Sequence, residues 1–394
     1  MEDHEIVIVA AKRTPTGSFL GGLSTLTAPQ LGAVAHKAAL EQAGINPDEL
    51  DEVISGCVLS AGIGQAPARQ AAILAGIPES IGATTVNKVC GSGMKSLMFA
   101  HDLIKAGSAN IILASGMESM SNAPYLLSKA RGGFRIGHGE LKDHLFLDGL
   151  EDAYEKGKLM GLFAETTAQV YQFSRQAQDT YAKASMTKAL KAIQEGTFIE
   201  EIAPVSISTK QGEVIMSQDE GPDSAKITKI PHLKPAFKED GTVTAANSSS
   251  ISDGAASIIL MSAGEAKQRG LKPLAKIVAH ASHAAAPEWF TTAPIEAIRK
   301  VLMKASWQLN EVDLYEINEA FAVVAMAAIT DLNLNPEQVN IHGGACALGH
   351  PIGASGVRIL VTLLYALKKL GKKRGIASLC IGGGEATAVA IEMF

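Results

Sequence analysis

Four short stretches set reactive side chains among small residues: Val89-Cys90-Gly91-Ser92-Gly93, Asn318-Glu319-Ala320-Phe321, Gly349-His350-Pro351-Ile352-Gly353 and Cys380-Ile381-Gly382-Gly383-Gly384. A cysteine and a histidine together supply a nucleophile and the base that deprotonates it. Cys90 lies between a strand-like run (Thr84, Thr85, Val86) and a helical apolar pattern (Met94, Leu97, Met98, Ala100, Leu103, Ile104). If Cys90 opens that helix, free backbone N–H groups and the positive dipole end favour its thiolate. Gly91 and Gly93 would let the chain turn sharply and let other groups approach the sulfur. The competing reading of Cys90 is a buried structural cysteine. Its glycine neighbours and the second cysteine motif favour a reactive thiol. His350 has the same two readings, and its glycine-rich surroundings favour function. Cys380 ends an apolar strand, so burial is its alternative; the three glycines after it imply a group approaching the backbone. On its residues alone, Asn318 fits a cap or a turn. Cys57 and Cys346 read as structural. The cysteines lack metal-ligand spacing, and neither half carries a dinucleotide fingerprint after its first strand.

These stretches need elements to position them. Ile6–Ala10 is a continuous apolar run, the mark of a strand buried on both faces. A helix over Ala28–Ala43 has Pro29 in its first turn and Gly44 at its end. Strands follow at Glu52–Leu59 and Thr84–Val89, with a helix at Pro67–Ala75 between them. The Cys90 helix runs to Ala106 and precedes a strand at Asn110–Ala114. Residues 121–244 are more polar and less regular, with helix over Glu165–Glu195, and read as an insertion. The strand Asp253–Ser262 returns to the core. The last third then repeats the first. Ala275–Ala281 matches the first strand, Pro294–Ala305 the first helix, and Leu309–Ile317 echoes Ile45–Ile54. Gly343–His350 falls where Cys90 falls, followed by the helix Ser355–Leu370 and the strand Gly375–Cys380. Strands alternating with helices, twice over, predict an α/β fold of two duplicated strand–helix domains with mixed sheets covered by helices. The expected division is 1–120 with 245–270, an inserted loop domain at 121–244, and 271–394.

Composition narrows the function. The chain has 394 residues, 47% hydrophobic and 19% charged, an ordinary globular balance. A net charge of −5 argues against nucleic-acid binding through bulk charge. Four cysteines are too few for a disulfide scaffold and suit a reducing compartment. The start Met1-Glu2-Asp3-His4-Glu5 has no apolar leader, and no run reaches transmembrane length. The expected location is the cytoplasm, with no membrane partner.

The four motifs in this order resemble the thiolase family, as do Arg13-Thr14-Pro15 and Gly64-Gln65-Ala66-Pro67-Ala68-Arg69-Gln70. The likeness covers essentially the whole chain. It implies two thiolase halves, an insertion in the first that caps the site and binds coenzyme A, and a homodimer or homotetramer. It implies acetyl-CoA C-acetyltransfer: two acetyl-CoA give acetoacetyl-CoA and CoA, reversibly, through an acyl-cysteine, with acyl-CoA substrates and no cofactor or metal. Cys90 would be the nucleophile, His350 its base, and Cys380 the group that moves the proton of the second acetyl-CoA's methyl carbon. His350 and a water on Asn318 would form one oxyanion hole, and the N–H groups of Cys90 and Gly382 another. Ser249 matches a serine near the pantetheine; Met160 and Phe321 match acyl-pocket residues. Leu159 stands where several acetyl-specific members have histidine, Phe290 where some have methionine, and His342 where asparagine is more usual. The alternatives are a degradative 3-ketoacyl-CoA thiolase for longer chains and a non-catalytic acyl-CoA or lipid carrier. A decarboxylating ketosynthase would use a Cys-His-His or Cys-His-Asn set, which Cys380 does not fit.

Overall fold

A computed structural model describes residues 2–210 and 212–394. The first half runs β1 (Ile6–Arg13), α1 (Ala28–Ala43), β2 (Glu52–Gly56), α2 (Pro67–Leu74), β3 (Gly82–Val86), α3 (Ser92–Lys105) and β4 (Ile111–Ser119). Between it and the next core strand lie the hairpin β5 (Tyr125–Leu127) and β6 (Leu141–Asp143), the helices α4 (Met160–Val170) and α5 (Arg175–Gln194), and the hairpin β7 (Val205–Thr209) and β8 (Gly212–Met216). The core resumes with β9 (Ser252–Ser262), then β10 (Ala275–Ala284), α6 (Ala293–Ala305), β11 (Leu314–Ile317), α7 (Ala322–Leu332), α8 (Ser355–Leu370), β12 (Arg374–Ile381) and β13 (Glu385–Met393).

The main strands lie in the order β11-β12-β13-β10-β1-β9-β4-β2-β3. The order is nearly a palindrome about the antiparallel β1–β10 pair, which is only two residue pairs long. In the first half β1–β9 and β9–β4 are antiparallel and β4–β2 parallel; in the second β10–β13 and β13–β12 are antiparallel and β12–β11 parallel. The echo reaches single residues. The tripeptide Ile8-Val9-Ala10 recurs as Ile277-Val278-Ala279, and each carries an irregularity in register at the same place. Asp51 accepts N–H bonds from Asn110 and Ile111 at 2.6 and 2.9 Å, and Asp313 accepts from Lys373 and Arg374, both at 2.9 Å. The strand β3 has no full counterpart; its place is held by a single bridge, Tyr315 to Val339.

Strand alternation sorts the core. Ile6 and Ile8 face α3 and α8, in one cluster with Leu97, Leu360 and Leu379, while Val7 and Val9 face α1 with Leu40 and Leu113. The helix α8 is apolar nearly all round, with thirteen of its residues buried, because sheet strands from both halves and α3 surround it. It meets α3 at glycines: a Cβ on Gly93 would press on the Gly353 carbonyl, and one on Gly356 on the Met94 backbone. Arg13 is fully buried and bonded to Glu201 at 2.5 Å and to Asp219 at 2.6 and 2.9 Å, which ties β1 to the segment around β7 and β8.

Candidate active site

The turn bearing Cys90 is clamped from within. Asn87 Oδ1 accepts from the Val89 N–H at 3.0 Å, and Ser92 Oγ accepts from the Lys88 N–H at 2.8 Å while donating to the Val89 carbonyl at 2.6 Å. The sharp turn is made by Val89, at φ +47°, a strained place for a β-branched residue. Gly91, at φ −81°, needs no glycine for its conformation. It is needed for room, since a Cβ there would collide with the Ile381 side chain. The helix α3 starts at Ser92 with Gly91 as its cap, so Cys90 precedes the helix instead of opening it. The expected thiolate is corrected in turn. Burial pushes the Cys90 thiol up to about 11, and the N–H groups of Gly382 and Cys90, aimed at the sulfur, offset only part of this.

His350 lies in the loop before α8, its N–H bonded to the Ser250 carbonyl at 3.1 Å. Its Nδ1 is 2.5 Å from Ser355 Oγ, and Ser355 donates its own proton to the Pro351 carbonyl at 2.9 Å. The serine proton is therefore spent, so Nδ1 carries the imidazole hydrogen and Nε2 keeps a free lone pair. Burial, helped by the charge of Arg358, holds His350 down to about 3, so the ring is neutral and Nε2 carries no proton.

Cys90, His350 and Gly382 open onto one cavity of about 520 Å³. Ser249, Leu159, Met160, Phe290 and Phe321 line it too, so the residues predicted from distant parts of the chain meet here. Three aromatic rings wall one side: Phe290 packs edge-on to Phe321 at 6.4 Å between centroids, and Phe321 to Phe237 at 6.0 Å. Cys380 and Asn318 lie one layer behind, 0% and 1% exposed. Burial raises the Cys380 thiol well above its ordinary value, and the charge of Cys90 raises it further, so the two sulfurs sense each other. Asn318 Nδ2 is 3.4 and 3.5 Å from the ring nitrogens of His350, and its buried Oδ1 has no partner among the described residues. A buried amide oxygen left free in this way is suited to hold a water. His342 is outside the cavity, against the Phe198 ring at 6.1 Å. A more open groove of about 650 Å³, lined by Lys158, Glu165, Lys238 and Asp240, contains none of the predicted residues.

Only part of the Cys380 reading holds for the glycines after it. Gly383 and Gly384 sit at φ +92° and +90°, so the β12–β13 turn itself demands them, and at Gly384 the carbonyls of Ala285 and Ala286 also approach closely to where a Cβ would lie. Gly382 alone faces the cavity. Two positioning residues escaped sequence analysis. Ser355 fixes the His350 tautomer. Glu118, buried in β4, accepts N–H bonds from Val58, Leu59 and Gly353 at 3.2, 3.0 and 2.8 Å and so holds the His350 loop against β2's end. Burial raises its carboxyl to about 7. A lone acid inside an apolar strand was the available signal.

The description "Thiolase, N-terminal domain" matches residues 6–264 and "Thiolase, C-terminal domain" matches residues 271–393. The chain belongs to the thiolase family. Among thiolase relatives, an acetyl-CoA acetyltransferase of Cupriavidus necator is 49% identical over 98% of this chain and 99% of its own. Acetyl-CoA acetyltransferase 2 of Arabidopsis thaliana is 50% identical over 99% and 97%. The crystal structure of the Bacillus anthracis acetyl-CoA acetyltransferase superposes with a TM-score of 0.97 at 42% identity, covering 99% of both chains. The thiolase fold, a mixed sheet covered by helices, is thus that of this protein. Among the described residues no helix is long and apolar enough to cross a membrane.

Proposed function

We propose that this thiolase is an acetyl-CoA C-acetyltransferase, joining two acetyl-CoA reversibly into acetoacetyl-CoA and CoA. The observation that carries the reading is the convergence of Cys90, His350 and the Gly382 N–H on one apolar-walled cavity, with Cys380 behind them. The names of the full-length relatives agree with it.

In this reading Cys90 Sγ attacks the acetyl-CoA carbonyl while His350 Nε2 takes its proton; the proton then passes to the departing CoA thiolate. The raised Cys90 pKa means the thiol stays protonated until substrate arrives, so deprotonation accompanies attack. The N–H groups of Cys90 and Gly382, already turned toward the sulfur, would hold the thioester oxygen. Cys380, acting as its thiolate, then removes a proton from the methyl group of the second acetyl-CoA. The carbanion attacks acetyl-Cys90, a carbon–carbon bond forms, and Cys90 leaves as a thiolate that takes up the proton held by Cys380, which restores the Cys90 thiol and the Cys380 thiolate for the next turn. Asn318, through a water on its free Oδ1, and His350 would stabilise the enolate oxygen. Ser249 would sit along the pantetheine, and Leu159, Met160, Phe290 and Phe321 would bound the acyl group.

We further propose the division into 1–120 with 245–270, 121–244 as the cap over the coenzyme A site, and 271–394. Assembly as a homodimer or homotetramer, a cytoplasmic location and catalysis without a cofactor belong to the same reading.

The test is thiolysis of acetoacetyl-CoA against 3-ketohexanoyl-CoA and 3-ketodecanoyl-CoA, compared by kcat/KM. The aromatic wall of Phe237, Phe290 and Phe321 supports a strong preference for acetoacetyl-CoA. Equal or higher values on the longer chains would make the protein a degradative thiolase with the same reactive residues.

A further inference from the structure

Away from the cavity, three ligating side chains from different parts of the chain converge. His101 and Asp102 sit near the C-terminal end of α3, and His280 lies on β10. His101 Nδ1 is 3.0 Å from Asp102 Oδ1, and His280 Nε2 is 2.8 Å from the same oxygen. The two rings meet edge to face with centroids 4.9 Å apart. One ligand atom from each residue lies within 4.8 Å of the other two. We propose that His101, Asp102 and His280 form a binding site for a borderline divalent transition-metal ion of the zinc class.

The geometry fits the ion's demands. Tetrahedral zinc with bonds of about 2.1 Å needs its ligand atoms about 3.4 Å apart. The 2.8 and 3.0 Å contacts are slightly short of that spacing and the 4.8 Å limit bounds the third, so small side-chain rotations suffice. Two imidazoles and one carboxylate are the ligand set that suits zinc, cobalt or nickel and not magnesium or calcium. The rings are nearly buried, with 15% and 14% of their side-chain surface exposed, so their orientation is set by packing. Asp102 is 57% exposed, which leaves the fourth position open to water. The negative end of the α3 dipole adds to the attraction. Two cations oppose it: Lys304, whose Nζ donates to the His280 carbonyl at 3.0 Å, and Lys95, which senses the Asp102 charge. Neutral imidazoles exchange an N–H···O contact for a metal bond by shifting tautomer.

The experiment uses the chelator-treated full chain, titrated with Co²⁺ and read by its visible absorption, and with Zn²⁺ read by calorimetry. The expected result is one equivalent bound, with a nitrogen–oxygen ligand spectrum and no thiolate charge-transfer band. The His101→Gln/His280→Gln variant should lose that equivalent, and Asp102→Asn should weaken it at least about tenfold. Both variants keep all four cysteines, so binding at the sulfurs cancels. Metal-free acetoacetyl-CoA thiolysis reports whether each variant is folded; if the double variant is not, the exposed Asp102→Asn decides. Equal binding by wild type and Asp102→Asn, or a thiolate band from the bound cobalt, would overturn the site.

Discussion

Two thiols with raised pKa values, Cys90 half-buried and Cys380 buried, need different explanations if only one is acylated. Cys90 faces the cavity with two N–H groups aimed at it, whereas Cys380 is wholly enclosed and, among the described residues, has only its own backbone N–H aimed at it. The proposed roles divide along that difference. Cys90→Ala is expected to abolish both turnover and covalent labelling by acetyl-CoA. Cys380→Ala should still become acetylated at Cys90, as intact-protein mass spectrometry would show, yet fail to make or break the carbon–carbon bond. If Cys380→Ala instead fails at acylation, the two cysteine roles are exchanged. The reactive residues themselves were legible in the sequence, because cysteine and histidine among glycines are a local signal. Their support was not. Ser355 and Glu118 act through bonds to residues that sequence cannot place: Glu118 reaches Gly353 across 235 positions.

The elements show the same division between local and distant causes. The boundaries of α1 and α8 were readable to the residue, since their signals are short-range. Thr27 and Gln30 form a reciprocal cap at the start of α1, and Gly44 and Gly371 close the two helices at φ +63° and +60°. The strand β4 is expected from the sequence over Asn110–Ala114. It continues to Ser119 because Ser115 Oγ bonds Ser55 at 2.6 Å and His36 at 2.9 Å, all inside the core. The contact between α3 and α8 was equally hidden, and it matters for function because Cys90 precedes one helix and His350 the other. Gly93→Ala would force a methyl against the Gly353 carbonyl, 2.8 Å from the ideal Cβ. Overpacking of this kind costs about 1–3 kcal/mol. A lower Tm and a lower kcat are expected together, whereas Gly82→Ala, with nothing within 4 Å, should change neither appreciably. Equal behaviour of the two variants would show that the helices are not in tight register at the site.

At the scale of the whole molecule, the duplicated sheet buries titratable groups whose opposing shifts set the pH range of stability. His36 and His342 are held down to about 4 and His350 to about 3, in each case chiefly by burial. Below about pH 6.5 the unfolded chain takes up protons that these folded rings refuse, so stability falls as the pH drops toward 4. Glu118 and Glu316 run the other way. Burial raises them to about 7 and about 8, so above their ordinary range the folded carboxyls keep protons that the unfolded chain releases, and stability falls as pH rises toward 8. The acid limb can be isolated with His36, which is remote from the cavity and bonds Ser115 through Nε2 at 2.9 Å. A ring kept neutral in the fold contributes roughly 2 kcal/mol to the loss between pH 7 and pH 5. Denaturant unfolding of wild type and His36→Gln at those two pH values measures it directly. The variant should begin less stable at pH 7 and lose less on acidification. A parallel fall in both proteins would mean that His36 takes up its proton in the folded state, and the acid limb would then belong to His342 and His350 alone.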